Sequence, residues 1–330
     1  GYANQYAISR SSNVEVTGNR FRNLRVISDT TVVVRGNTIY QSRRAGFRSS
    51  IPGVYAENIQ GINVLNNHIT QRNTDGGYPR ARGVELFNAS DARVAQNEIS
   101  LYCQGVANYY GDNIGVYARG TTTKNVVIQG NIIQNASSID FRYGIYVDKG
   151  DSIFVFGNHM NGSDLNARGY GMVCKDVTGT IQVDSNQVAS YQTAGLHAKT
   201  TGQQNSFSYN HITHIRDLGI LFEGNQGTMA GNTVSGVVAG NGIEITAGNA
   251  RISENRFLNI QAGTGIIVNG PGNLVANNFV EAEGVGIAKG ISLMEAATGS
   301  DIVFNSVNIT GTDVANGIAL EVLGGTDYTV

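Results

Sequence analysis

The sequence has no tryptophan, only three prolines and two cysteines, and charged residues fill just 15% of its 330 positions. Each scarcity removes a class of protein. Two cysteines, Cys103 and Cys174, make no disulfide framework and match no zinc spacing. Cys174 sits in a strand pattern at an inward position, as expected of a buried free thiol. Few prolines beside 43 glycines without a three-residue period exclude a collagen-like chain and argue against simple disorder. A net charge of −2 leaves no electrostatic footprint for nucleic acid or an anionic membrane. No apolar run is long enough to span a bilayer, so membrane insertion is not expected. The opening residues "GYANQYAISR" carry no initiator methionine or targeting run. They read as the interior of a longer chain, with flanking domains expected on the same polypeptide.

What the sequence has in abundance is a repeat. A glycine followed by apolar–any–apolar recurs at Gly53, Gly83, Gly115, Gly144, Gly171, Gly195, Gly219, Gly242, Gly265, Gly290 and Gly317. Between these lies an Asn–any–apolar motif at Asn67, Asn97, Asn131, Asn158, Asn186, Asn210, Asn232, Asn255, Asn277 and Asn305, with Asn19 and Asn37 as earlier members. The two alternate strictly, and the period falls from 30 residues (Gly53 to Gly83) to 23 (Gly219 to Gly242). Alternation with a period of two and β-branched content predict strands. Two or three short strands per period, with no helix between, predict a coil whose turns stack and pair in parallel along the axis. Asn suits the sharp corner because it tolerates the left-handed backbone region, and stacked Asn side chains can hydrogen-bond from turn to turn.

The corners "GNTI", "NNHI", "QNEI", "GNII", "SNQV" and "YNHI" and the strands "GVYA", "GVEL", "GIYV" and "GIEI" resemble those of right-handed parallel β-helices of the pectin-lyase-like superfamily. The likeness runs over nearly the whole chain. The last turn, "FNSVNITGTDVANGIALEVLGGTDYTV", also resembles repeats of large secreted surface proteins of bacteria. The expected architecture is all-β: one right-handed parallel β-helix over residues 1–330, of roughly eleven rungs at about 4.8 Å each, with an Asn ladder. The second resemblance implies a secreted or cell-surface location.

Insertions in a solenoid collect on the face that binds. Here they are "TQRNTDGGYPRARG", "SLYCQGVANYYGDNIG", "QNASSIDFRYG" and "MNGSDLNARGYG", expected to wall one side of the N-terminal half. If the apolar residue after each Gly points inward, the next points out. This predicts Ile145, Val147, Met172, Cys174, Leu196, Ala198, Ile220 and Phe222 inside. It predicts outward pairs Tyr55 with Glu57, Glu85 with Phe87, Tyr117 with Arg119, Tyr146 with Asp148, Val173 with Lys175, and His197 with Lys199. The stripe continues through Leu221 with Glu223 and Glu244 with Thr246 to Ala319 with Glu321. The candidate ligand-binding set is therefore Glu85, Tyr117, Arg119, Tyr146, Asp148, Lys175, His197 and Lys199. Aromatic rings can stack on sugar faces, and Arg and Lys can engage carboxylates or sulfates. Opposite charges on neighbouring rungs, Arg119 with Asp148 and Asp148 with Lys175, equally describe a solvated sheet face.

Catalytic signatures of the superfamily are mostly missing. Asn73, Thr74 and Asp75 give one "NTD", but no "DD", "GHG" or "RIK" accompanies it as in polygalacturonases. None of Pro52, Pro79 or Pro271 precedes a His, as the Asp-Pro-His-Asp of mannuronan epimerases requires. A lyase needs a cation for the uronate carboxylate, a base and an acid. Lys175, His197, Lys199, Tyr146 and Arg119 could fill those roles, without a tight motif. His68, His159 and His211 each follow a ladder Asn and read as structural. No metal site or cofactor is expected, and no motif supports a Ca²⁺ ion. Three readings stay open: a carbohydrate-binding or adhesion module with a polysaccharide as partner, a polysaccharide lyase or hydrolase on an acidic glycan, and a plain stalk.

Overall fold

Each turn of the chain makes three strands, as in Val54–Glu57, Gln60–Leu65 and His68–Asn73. The first begins at the Gly motif, the second ends before the Asn corner, and the third follows it. The same three strands recur turn after turn, and each pairs in parallel with its counterparts on adjacent turns. We call the three stacks the glycine sheet, the middle sheet and the third sheet. The computed structural model describes residues 6–43, 52–73, 81–103, 112–135, 141–162, 168–202, 204–284, 288–311 and 317–330. Among these, the third sheet has twelve strands, one more than the rung estimate, and there is no helix to cross a membrane. Phe141–Phe156 and Leu218–Ala230 run unbroken from glycine sheet to middle sheet, joining the two.

The core is a set of stacked columns. Val116, Ile145, Met172, Leu196, Ile220, Ile243 and Ile266 succeed one another in register on the glycine sheet, and all are buried. The eight residues expected inside are all at most 2% exposed. Burying one such Val, Ile or Leu side chain contributes about 1.5–3 kcal/mol. Burial also pushes the Cys174 thiol well above its ordinary pKa, as befits an inert packing residue.

The repeated Gly and the repeated Asn are parts of one steric device. A Cβ on Gly144 would meet Met160 at 2.9 Å and the Gly171 carbonyl oxygen at 2.5 Å. At Gly53, Gly83, Gly115, Gly171, Gly195, Gly219, Gly242, Gly265 and Gly290 the obstacle is the apolar residue two places after that turn's ladder Asn, again with a backbone oxygen of the next turn. These glycines are required by close approach, not by backbone angle. The left-handed position of each corner is instead the residue before the ladder Asn: Gly36, Asn66, Gln96, Gly130, Gly157, Ser185, Tyr209, Gly231, Glu254, Asn277 and Phe304, with φ between 53° and 64°. The ladder Asn is therefore not the left-handed residue that the sequence reading made it.

In the ladder, each Asn Oδ1 accepts from the backbone N–H and the side-chain Nδ2 of the Asn one turn earlier. Asn131, Asn158 and Asn186 do so at 2.9–3.0 Å. Asn67 and Asn97 precede them, Asn210 and Asn232 follow, and Asn255 leads on to Asn278 and Asn305. Asn37 is also a full member, while Asn19 joins only through its backbone N–H.

Asn278, not Asn277, is thus the ladder residue of its turn. In "ANNFV" both asparagines fit the pattern, but only Asn278 stands two places before the inward Val280. A second correction falls at the last rung. Ile291 pairs with Leu320 and Ser292 with Glu321, so Ala319, not Gly317, occupies the glycine position there. Glu321 consequently continues the row of Ser292 rather than that of Met294.

Candidate functional site

The outward face of the glycine sheet carries two columns in the order read from the sequence. One runs Tyr55, Glu85, Tyr117, Tyr146, Val173, His197, Leu221, and the structure adds Arg25 before Tyr55. The other runs Glu57, Phe87, Arg119, Asp148, Lys175, Lys199, Glu223. A third column was not foreseen: Arg82, Ile114, Tyr143 and Tyr170. Tyr143 and Tyr170 stand just before the glycines. Strict alternation through Gly144 or Gly171 would send them inward, but the glycine and the residue after it both face the core, so the residue before the glycine faces out.

Four tyrosines consequently stack. Ring centroids lie 5.2 Å apart for Tyr117 and Tyr146, 4.9 Å for Tyr146 and Tyr143, and 5.5 Å for Tyr143 and Tyr170, with interplanar angles of 3–16°. The row ends on His197, 5.9 Å from Tyr170, and at the other end on Arg82, whose guanidinium sits 4.9 Å over Tyr117. Ring faces are therefore turned towards each other, and the half-buried row offers edges and phenol hydroxyls to a ligand. Sugar stacking on open ring faces, expected from the sequence, does not fit the two inner rings. Burial is the main force raising all four phenol pKa values, and Tyr146, with Asp148 beside it, is pushed up to about 12. These hydroxyls stay neutral at any ordinary pH, as donors and acceptors rather than bases.

Glu85 does not face solvent as expected. It is 2% exposed, and its carboxylate accepts from Arg82 Nη1 at 2.7 Å and from Arg119 Nε at 2.8 Å. Arg119 also lies 4.3 Å over the Phe87 ring. Burial works against the Arg119 charge, but Glu85 outweighs it and holds the guanidinium above its ordinary pKa. The expected partnership of Arg119 with Asp148 is replaced by this clamp. Among the described residues Asp148, Lys175 and Lys199 form no ion pair, so the alternating-charge description fails there too. A cleft of about 320 Å³ opens between Phe87, Tyr117, Arg119, Gly120, Asp148 and Lys149.

His197 Nε2 lies 2.8 Å from Glu223, so the two are positioned as a hydrogen-bonded pair. Of the catalytic candidates, Arg119 is held by Glu85 and Tyr146 is held neutral, while Lys175, Lys199 and His197 keep outward positions on adjacent rungs. Val173, read as outward, is only 6% exposed. His68 and His159 are exposed and bond the next rung at Glu98 and Gln187. The insertions fall between third-sheet and glycine-sheet strands, so they root beside the tyrosine row. Residues 74–80, 104–111, 136–140 and 163–167, which hold most of the expected wall and Thr74 and Asp75 of the "NTD", lie outside the described residues.

Among solved structures, the chain is similar to the receptor-binding domain of the Siphovirus 9NA tailspike, with TM-score 0.53, 10% identity, and coverage of 95% of this chain and 76% of that one. A mutant of the periplasmic alginate epimerase AlgG gives TM-score 0.49 at 11% identity, over 91% of this chain and 78% of that chain. A mannuronic-acid-specific polysaccharide family 6 lyase from human gut microbiota gives 0.37 at 11%, covering 93% and 82%. At these identities the likeness concerns the fold. No curated protein matches the sequence. A family model described as "Right handed beta helix region" matches residues 4–188 and 194–327. The stacked parallel turns, the Asn ladder and this match agree: the chain belongs to the right-handed β-helix family.

Proposed function

We propose that this chain is an extracellular glycan-binding module whose ligand lies along the outward face of the glycine sheet, between the tyrosine row and Lys175 and Lys199. The observation that carries the proposal is the stacked row Tyr117, Tyr146, Tyr143 and Tyr170 beside two lysines that have no acidic partner among the described residues. Such a surface offers neutral hydroxyls to sugar hydroxyls and fixed cations to uronate or sulfate groups. Consecutive rungs repeat about every 4.8 Å, which suits an extended chain with regular contacts. The similar fold of a tailspike receptor-binding domain is in keeping with a partner outside the cytoplasm.

Retention on immobilised anionic and neutral polysaccharides tests this. Tyr146→Ala and the double change Lys175→Ala with Lys199→Ala should each weaken retention of an anionic polymer several-fold, while Thr246→Ala should not. Equal retention for all would remove the groove and leave a stalk.

The enzyme reading has one observation in its favour, the His197–Glu223 pair at the end of the tyrosine row. A carboxylate beside an imidazole can orient it for general acid–base work. Its test is the absorbance of unsaturated uronate product from alginate or polygalacturonate. A rate that disappears in His197→Gln would establish a lyase, and no absorbance change with any polyuronate would leave binding.

A further inference from the structure

The middle sheet carries a separate cleft on another face of the column. It measures about 410 Å³, and Gln182, Ser206, Thr228 and Arg251 line it on four consecutive rungs. Three rung spacings make this row about 14 Å long. Its rim includes Gln226 and Asn249, both in the left-handed conformation, at φ 48° and 55°. On the preceding rung the row continues with Phe154, which pairs with Gln182. Phe154 and Phe156 are half-exposed, with ring centroids 6.2 Å apart and planes 29° from parallel.

The chemistry of this lining is distinctive. Small-molecule pockets are mostly apolar with a few polar groups, whereas amide and hydroxyl side chains dominate here and no carboxylate is among the lining residues. Side-chain amides and hydroxyls each both donate and accept, the pairing a ligand dense in hydroxyls requires. Arg251 stands exposed at one end. Its Nε reaches Ser253 Oγ at 3.4 Å, and no carboxylate among the described residues pairs with it, so it retains donors for ring or hydroxyl oxygens. At the other end Phe154 offers a surface for the C–H face of a sugar ring.

We propose that this cleft binds a short neutral oligosaccharide, laid along the axis from Phe154 to Arg251. The site is independent of the tyrosine face and does not rest on the reading proposed for it. Unlike that face, it sets a single cation among amides and hydroxyls, so sugar hydroxyls rather than ligand charge should govern binding here.

Isothermal titration of the intact chain with maltotriose, cellotriose and mannotriose tests the proposal, with triguluronate as the charged comparison. At least one neutral trisaccharide should bind saturably and more tightly than triguluronate. Ser206→Trp, which fills the cleft from an outward position, should abolish that binding. Thr228→Val, which removes one hydroxyl without changing shape, should weaken it about threefold to tenfold if it folds as the parent does by circular dichroism. Tyr146→Ala should leave it unchanged. Absence of binding by all three neutral sugars would overturn the proposal. So would preference for triguluronate, unchanged affinity in Thr228→Val, or loss of binding in Tyr146→Ala.

Discussion

Gly242 and Phe257 occupy one space: a Cβ on Gly242 would stand 2.7 Å from Phe257 Cδ1 and 2.5 Å from the carbonyl oxygen of Gly265. The glycine at the start of a turn and the apolar residue after its Asn corner are thereby packed against each other across the column. Neither motif is free to change alone.

Gly242→Ala should therefore lose about 1–3 kcal/mol, since Phe257 is fully buried and the Gly265 oxygen belongs to a ladder strand. Gly36→Asn is the contrast. Its φ of 61° is one that Asn tolerates, and no atom lies within 4 Å of a Cβ there. It should cost under about 1 kcal/mol. Equilibrium urea unfolding of both variants checks the distinction, and equal losses would mean that glycines serve the backbone angle throughout.

The adjacent Asn277 and Asn278 separate corner from ladder. Asn278→Ala removes the acceptor for the Asn255 N–H and Nδ2 and the donor to the Ile252 carbonyl, leaving buried groups unpaired. A loss of about 1–3 kcal/mol per unpaired group is expected. Asn277→Gly keeps a residue suited to φ 56° and should stay within about 1 kcal/mol of the parent. Thermal melts of the pair should differ clearly, with Asn278→Ala the lower.

Glu85 acts as a buried anchor for two guanidinium groups. Replacing it by Ala leaves Arg119 without its carboxylate and Arg82 with only Asp112, 3.9 Å away, and loss of one member of such a pair costs roughly 3–5 kcal/mol when burial is complete. The arginines keep 16% and 32% side-chain exposure and can turn to water, so about 2–3 kcal/mol is expected. The Tyr117 absorbance should also shift as Arg82 leaves its ring face. Denaturation with near-ultraviolet difference spectra tests both effects.

Tyr146 supplies a pH dependence with a defined sign. Its folded pKa of about 12 lies above the ordinary 10.0, mainly through burial. The folded state thus favours the neutral phenol. That contribution is complete below pH 10 and is lost as pH rises through 12. Tyrosinate absorbance should show a late component near pH 12 that disappears in Tyr146→Phe. An ordinary titration of every tyrosine would place this ring in solvent.

Period-two alternation made the strands, the inward columns and the two outward rows legible, because the direction of a strand side chain is a local property. The same rule failed at Tyr143 and Tyr170, where Gly144 and Gly171 break alternation at a bend. The Gly-to-Asn spacing placed the turns from Gly53 to Gly290, yet it could not choose between Asn277 and Asn278 or notice the shift from Gly317 to Ala319. Each choice depends on which residue meets the core of a neighbouring turn.

By itself the sequence determined that the chain coils into stacked parallel turns with an Asn ladder, since glycine, alternation and asparagine recur at steps a single turn can hold. Only the tertiary structure decided what the surface offers. It buried Glu85 between two arginines, turned the tyrosine faces on one another and gathered Phe154, Gln182, Ser206, Thr228 and Arg251 into one row. These neighbours lie 22 to 28 residues apart in the chain and about 4.8 Å apart along the axis, and that contact is set by how the turns stack, not by any local pattern.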